Sequence, residues 1–305
     1  MDCPLCNKYC KVLFEDGRDY FVMDGNSPLF GISICESCEI AYSLPYLSDA
    51  DLVSYYPANY ESFVPKKSFS SILQTVKYRG DLKIIFNQIE GGGNTSLFEI
   101  GTGRGEFLNE AKKKGYDVDG IEPGKAGVDY AYKNFNISLQ LGYVSEIRFS
   151  KKYDVIVIRH VLEHVNDFYG CLKLIFDAGL VSNGVLFIKI PRMDSWEQKF
   201  FKKFWHGYDL PRHRVHFTRN GLVKVLRDIG YTNIDVKSEV VPLDFLRSVL
   251  YYSKYGNPGV GKLCARIFTS MPDFLKIIFG QTIGILMTPL GPGRMIVMAR
   301  KNNTL

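Results

Sequence analysis

The sequence predicts an α/β protein built on a doubly wound sheet, preceded by a small module held by cysteines. Three observations carry that reading. Leu97-Phe98-Glu99-Ile100 is a short apolar run that breaks into Gly101-Thr102-Gly103-Arg104-Gly105-Glu106, the pattern of a buried strand, a glycine-rich turn and a helix start. Further strand-like runs at 116–122, 153–159 and 184–190, the last two apolar and β-branched, each stop in an acidic, polar or proline-containing segment, as strands of such a sheet do. Two C-x-x-C pairs, Cys3/Cys6 and Cys35/Cys38, enclose strand-like segments and Gly/Pro/Asn turns.

At the N-terminus, each C-x-x-C pair sets two thiolates about one tetrahedral edge apart. Two pairs complete a closed four-thiolate site, which points to a structural zinc ribbon over residues 1–45. Cys10 fits a knuckle less well, and Cys171 and Cys264 sit in apolar helical contexts that suit small core residues. The opening Met1-Asp2-Cys3 shows no apolar leader, so the chain is expected in the cytoplasm, where thiols stay reduced. A composition of 46% hydrophobic and 23% charged residues is that of an ordinary globular protein.

Residues 46–95 read as an aromatic strap followed by one or two helices. Over residues 39–66, Tyr42, Tyr46, Tyr55, Tyr56, Tyr60 and Phe63 supply rings that cover core or, at Tyr56 and Tyr60, close over a ligand. Ile72, Val76, Leu82, Ile85, Phe86 and Ile89 recur at near-helical spacing, and Gly91-Gly92-Gly93-Asn94 is the loop into the first sheet strand.

The glycine turn itself has the spacing G-x-G-x-G. A dinucleotide fingerprint needs its third glycine at position 106, which holds Glu and would repel a pyrophosphate at a helix N-terminus. A carboxylate there suits a cationic ligand. The run 116–122 ends in Glu122, at the distance where a doubly wound sheet sets an acid against ribose hydroxyls. "YDVIVIRHVLEHV" from Tyr153 then leaves a buried strand at His160, and "NGVLFIKIP" from Asn183 gives another strand.

In Glu99-x-Gly101-x-Gly103-x-Gly105, Glu122 and these two blocks the chain resembles the class I S-adenosylmethionine-dependent methyltransferases. The resemblance covers roughly residues 70–240 and implies a Rossmann-like sheet of seven strands with the last antiparallel, over 96–242 plus 293–301. It implies S-adenosylmethionine as cofactor, held by Glu99, Gly101, Thr102, Gly103, Gly105, Glu122 and Arg159. Where members often carry Asp for the adenine amine this chain has Tyr143, so that contact is expected to pass to backbone near Val144. The order of ribbon, strap, sheet and "PRHRVHFT" also resembles a branch associated with cell-surface polysaccharide and sugar biosynthesis.

His160-Val161-Leu162-Glu163-His164 is the first candidate for chemistry. Three roles are open: His160 as general base, His164 oriented by Glu163, or the trio as ligands of a divalent ion, with a bracing role for Glu163 and His164 as the bland reading. The second candidate is the insertion 199–219, where Lys199, Lys202, Lys203, Arg212, Arg214 and Arg219 face only Asp209 among interleaved rings. It predicts cover for an anionic acceptor, with His213 and His216 as alternative bases. Packing of the insertion onto the sheet is the competing reading.

Residues 243–292 form an apolar, basic, helical insertion that falls short of a membrane span. Core packing, a dimer contact and peripheral attachment to a membrane are its possible uses. The function expected is methyl transfer to a hydroxyl or carbon of an anionic, sugar-like acceptor. Its competitors are an RNA methyltransferase, disfavoured because the ribbon offers only Lys8, Lys11 and Arg18 to a nucleic acid, and a non-catalytic binding module.

Overall fold

The computed structural model describes residues 1–21, 28–48, 51–52, 54–56, 68–89, 95–256 and 287–302, with scattered positions between 270 and 286. Tyr60, Phe63, the 91–94 loop, Cys264, Lys262, Arg266 and Lys276 lie outside the described residues. The chain divides into two compact units. The first comprises Met1–Tyr56, Lys189–Val225 and Val236–Ile296, and the second Pro57–Ile188, Leu226–Asp235 and Val297–Leu305.

In chain order the strands are β1 (Cys10–Gly17), β2 (Phe30–Cys35), β3 (Ile40–Leu44), β4 (Ser96–Ile100), β5 (Asp117–Glu122) and β6 (Gln140–Leu141). They continue with β7 (Tyr153–Arg159), β8 (Leu180–Pro191), β9 (Val215–Phe217), β10 (Tyr231–Glu239) and β11 (Arg294–Lys301). The helices are α1 (Ser68–Phe86), α2 (Glu106–Lys112), α3 (Lys125–Phe135), α4 (Phe168–Leu174), α5 (Trp196–Phe201), α6 (Arg219–Ile229) and α7 (Pro242–Tyr255).

Seven strands form one sheet in the order β10-β11-β8-β7-β4-β5-β6, mostly parallel with the last strands antiparallel, as expected from the resemblance. β4 pairs in parallel with β5 on one side and β7 on the other, in a register that puts Glu99 beside both Gly120 and Val157. Leu97, Phe98, Ile100, Val155, Ile156 and Val157 are fully buried. Burial on both faces explains why these strands read as unbroken apolar runs rather than alternating ones. α6 buries Leu222, Val225, Leu226 and Ile229, the stripe its spacing predicts, each side chain contributing about 1.5–3 kcal/mol. Ahead of β4 the expected stripe holds only in part. α1 buries Leu82 and Ile85 but exposes Ile72, Val76 and Phe86, because Tyr78 rather than Val76 faces inward.

In the first unit a four-stranded sheet runs β1-β2-β3-β9. Its fourth strand comes from the insertion after β8, with Ile40, Ala41 and Tyr42 opposite Phe217, His216 and Val215. Rings from that insertion fill the core: Phe201, Phe204, Trp205 and Tyr208 pack with Phe30, Ile32 and Leu210. Arg212 is fully buried there. Its guanidinium bonds both oxygens of Asp19 (2.7 and 2.9 Å), both of Asp209 (3.0 and 2.7 Å) and the carbonyl of Tyr55 (3.0 Å). Much of the charge and nearly all the aromatic surface expected to face an acceptor is therefore internal, because Asp16 and Asp19 from outside the insertion join Asp209 in neutralising it. Lys199, Lys202 and Arg219 remain exposed.

Candidate functional site

The glycine turn joins β4 to α2. Gly101, Gly103 and Gly105 have φ of 71°, 57° and 74°, the left-handed region that a side chain resists. A Cβ at Gly101 would lie 2.3 Å from Val161, so that position is closed by the protein itself. A Cβ at Gly103 would meet nothing within 4 Å, so this turn presents bare backbone to open space.

Glu122, at the end of β5, ties the turns together. One carboxylate oxygen accepts from the N–H of Gly103 (2.8 Å) and the other from the N–H of Gly124 (2.9 Å). Burial pushes its carboxyl up, opposed by these two bonds. Each oxygen keeps a further lone pair for a ligand hydroxyl.

Glu99 is fully buried. Its Oε1 accepts from Nε and Nη2 of Arg159 at 3.1 and 2.7 Å, while Oε2 has no hydrogen-bond partner among the described residues. Arg159 stacks on Phe107 and Tyr78, its Cζ 4.1 and 4.6 Å from the ring centroids, and approaches Asp81 at 3.9 Å. Burial pushes Glu99 up to about 7 despite Arg159, and the charge of Glu122 adds to the rise. The guanidinium thus serves Glu99, a part that its position at a strand end gave no means of reading from sequence. Thr102 is nearly buried in the same turn, and Glu106 pairs with Arg104, which lies over Tyr130. Val144 opens a single 3-10 turn, Val144–Glu146, beside an exposed Tyr143.

S-adenosylmethionine fits these residues. A buried carboxylate oxygen lacking a partner, next to a second acid and an open glycine, is a seat for a ligand carrying ammonium and sulfonium charge. A pyrophosphate would meet like charge.

His160 follows β7 directly. Its φ of 57° is rare for a residue with a Cβ and holds the side chain off the strand end. Nδ1 lies 3.6 Å from Oε1 of the buried Glu163. Leu162, Glu163 and His164 form one 3-10 turn before α4, whose N-terminus is capped by Asp167 accepting from Gly170 N (2.8 Å).

In the first unit His213 is largely buried. Its Nδ1–H donates to Gly207 O at 2.8 Å, which leaves Nε2 as the unprotonated nitrogen, 3.9 Å from Asp209. Burial pushes its pKa down against the pull of Asp209. His216 Nε2 meets Ser43 Oγ at 2.9 Å, and that hydroxyl donates to His213 O. His216 therefore links β9 to β3.

Cys3, Cys6, Cys35 and Cys38 come together, all four sulfurs within 4.8 Å of one another. Sγ separations of 3.5 Å (Cys3–Cys38), 3.5 Å (Cys6–Cys35) and 3.9 Å (Cys6–Cys38) match a tetrahedron with Zn–S of about 2.3 Å, whose edge is about 3.8 Å. The donor set fits zinc with no open position. Tyr42 OH stands 3.4 Å from Cys3 Sγ. The second knuckle continues into Glu39, whose carbonyl accepts from Thr218 Oγ1 (2.9 Å) at the start of α6.

No curated protein sequence matches the chain at a significant level. Among solved structures, the chain is similar to a SAM-dependent methyltransferase from Archaeoglobus fulgidus at 17% identity and TM-score 0.48, covering 76% of this chain and 99% of that one. It is also similar to Haemonchus contortus phosphoethanolamine N-methyltransferase 2, solved with phosphomonomethylethanolamine and S-adenosylhomocysteine. That likeness has 14% identity and TM-score 0.50, covers 74% of this chain and 53% of that one, and speaks for the fold. A geranyl diphosphate C-methyltransferase from Streptomyces coelicolor, solved with magnesium, geranyl-S-thiolodiphosphate and S-adenosylhomocysteine, shows 11% identity, TM-score 0.49 and coverage of 73% and 75%. The family model for the methyltransferase domain matches residues 60–236, the span that carries the glycine turn, Glu122 and the His160 block. A match over more than half of the chain makes the protein a member of the class I S-adenosylmethionine-dependent methyltransferases, and so an enzyme of methyl transfer.

Proposed function

We propose that the protein transfers a methyl group to a hydroxyl, or to a carbon, of an anionic sugar-like acceptor such as a nucleotide sugar or a surface-glycan precursor. The pair of buried acids around the open Gly103, Glu99 with its unpartnered oxygen and Glu122 across two turns, is the observation that carries the cofactor side. S-adenosylmethionine, when bound, supplies a methyl group on a positively charged sulfur. Glu99 takes its ammonium, kept in place by Arg159, and Glu122 accepts from its ribose hydroxyls. Thr102, Gly101 and Gly105 shape the turn, and backbone at Val144 meets the adenine.

His160 accepts the acceptor's proton. It sits on a rigid strand end, with Glu163 close enough to favour the imidazolium that results. His164, oriented by Glu163, and His213 of the insertion are the alternative bases. The exposed Lys199, Lys202 and Arg219 supply the positive charge that an anionic acceptor needs, a smaller set than the insertion's sequence offers. A structural zinc in the Cys3/Cys6/Cys35/Cys38 site, a place in polysaccharide biosynthesis and a cytoplasmic location complete the reading.

Incubation with labelled S-adenosylmethionine and a panel of nucleotide sugars, lipid-linked glycans and RNA tests it. A mass gain of one methyl on a sugar acceptor is expected, whereas label on RNA alone would overturn the acceptor class. His160→Ala should lower turnover by about a hundredfold with cofactor affinity unchanged, and His213→Ala should mainly raise the acceptor's KM. The reverse pattern would transfer the proton-accepting role to the insertion.

A further inference from the structure

β8 carries a charge where its surroundings call for none. From Val185 to Ile190 the strand reads Val-Leu-Phe-Ile-Lys-Ile with every residue buried, and Lys189 is 4% exposed. Side chains alternate across a strand, so Lys189 shares a face with Val185 and Phe187. An aliphatic residue there would avoid the cost of taking an ammonium out of water. A lysine in the interior of a sheet therefore needs a partner and a use.

The partner is Glu239, the last residue of β10, whose Oε1 lies 2.6 Å from Lys189 Nζ. The sheet order β10-β11-β8 sets one strand between the two, so the pair reaches across β11. Glu239 departs from the pattern of its own strand. Exposure alternates from Thr232 to Lys237 and then reverses, leaving Ser238 exposed and Glu239 drawn in, with 16% of its side chain exposed.

Oε2 of Glu239 is buried and has no hydrogen-bond partner among the described residues. An ion pair that only braces the fold closes both oxygens, as Arg212 does with the carboxylate of Asp19. Glu239 is instead divided as Glu99 is, one oxygen on a cation and the other buried and open. Such an oxygen is costly until a donor reaches it.

Place and charge say which donor. Lys189 and Glu239 both stand at the carboxyl ends of their strands, where open α/β sheets take their ligands. Within the pair the charges cancel, so the open oxygen asks for a hydrogen bond rather than for a cation. Glu99 differs in this respect, since the charge of Glu122 adds to its own. Among the described residues Glu239 belongs to no cluster of metal-binding side chains. A neutral O–H is the donor that fits.

We propose that Glu239 and Lys189 form a hydroxyl-binding subsite for the acceptor, in which Glu239 Oε2 accepts from one acceptor hydroxyl and Lys189 holds the carboxylate in place. This rests on the sugar-like acceptor reading, because a polyol offers hydroxyls beyond the one that reacts. Glu239 touches the acceptor, and Lys189 is a positioning residue that acts through it.

The test compares the wild type with the double variant K189M/E239M, with Lys189→Arg and with Glu239→Gln. The acceptors are uridine diphosphate glucose, its monodeoxy analogues, other nucleotide sugars, a lipid-linked glycan and an RNA oligonucleotide. The double variant replaces the pair by apolar side chains of similar length, so it should keep its unfolding midpoint and its affinity for S-adenosylmethionine. Its KM for a sugar that the wild type methylates should rise by about tenfold or more, with kcat falling less. The deoxy analogue that lacks the bound hydroxyl should cost the wild type a similar factor and cost the double variant nothing further. Lys189→Arg keeps the cation and should keep most of the wild-type KM.

An unchanged KM in the folded double variant, or an equal deoxy penalty in both proteins, would overturn the proposal. Should the double variant unfold, Glu239→Gln carries the comparison, since it keeps the shape and an oxygen for Lys189 but loses the charged acceptor. An unchanged KM there would overturn the proposal as well. Sugar methylation with no penalty in the variants would sink the subsite and leave the acceptor reading standing. Label on RNA alone, with a KM that the double variant raises, would sink the sugar reading and uphold the hydroxyl subsite.

Discussion

The glycine turn of the second unit and the Arg212 and cysteine clusters of the first place charge in opposite ways. In the second, charged groups are buried with one valence left open: Glu99 keeps an oxygen without a partner among the described residues, and Glu122 keeps lone pairs beside a bare glycine. In the first, two clusters are closed. Arg212 makes five hydrogen bonds to Asp19, Asp209 and Tyr55, and the four cysteine sulfurs form a complete ligand set. A buried charge that is fully matched holds chain together, whereas one left partly matched waits for a ligand.

The largest expected effect lies at the closed thiolate site. Metal analysis of protein purified without added zinc should find one equivalent, and Cys35→Ser should lose it together with soluble yield, since structural zinc binding is worth about 10–16 kcal/mol of gross folding free energy. S-adenosylmethionine binding by whatever remains soluble should persist, because none of its proposed ligands lies in the first unit. A metal-free protein with four free thiols and undiminished stability would end the ribbon reading.

Next in size is the ion network. Arg212→Ala leaves Asp19 and Asp209 buried without their cation, which should destabilise the protein by about 3–5 kcal/mol in denaturant unfolding. Asp209 is informative here. Burial pushes its carboxyl up, yet Arg212 beside it holds it well below the usual carboxylate range, so this stabilisation should persist at mildly acid pH and fail only under strongly acid conditions. An unfolding free energy that falls by less than about 1 kcal/mol would mean that the network is water-filled rather than closed.

How much of this was legible follows the same line. Glycine turn, strand-end acids and C-x-x-C knuckles are local patterns, in which one backbone segment sets the geometry, and the parallel strands announce themselves because burial on both faces demands apolar runs. The pairing of β3 with β9 joins residues 40–42 to 215–217, and Arg212 meets an acid at position 19. No local period encodes either contact. The insertion therefore looked like a cationic surface, since Asp19, which joins Asp209 in neutralising Arg212, is far away in sequence. The bond from Arg159 to Glu99 was hidden for the same reason: the two sit on neighbouring strands, and only the sheet register brings them together.

A smaller effect should come from the open valence itself. Burial lifts Glu99 to about 7, so in the ligand-free protein its carboxylate forms only as pH rises through that value. Ammonium binding requires the ionised form. Affinity for S-adenosylmethionine should then weaken by up to about tenfold per pH unit below 7 and level off above it, measured by calorimetry between pH 5.5 and 8.5. A flat profile would mean that Glu99 is not the ammonium's partner.

The account rests on the claim that the second unit's open turn holds S-adenosylmethionine. Calorimetric titration of the wild-type protein and of Gly103→Val with S-adenosylmethionine and with NAD tests it most directly. Gly103 has open space where a Cβ would stand, so the valine should block the ligand while the fold survives, apart from the strain of a φ of 57°. The expected result is saturable binding of S-adenosylmethionine by the wild type, none by Gly103→Val, and no response to NAD from either. NAD binding without a response to S-adenosylmethionine, or undiminished S-adenosylmethionine binding by the valine variant, would contradict it.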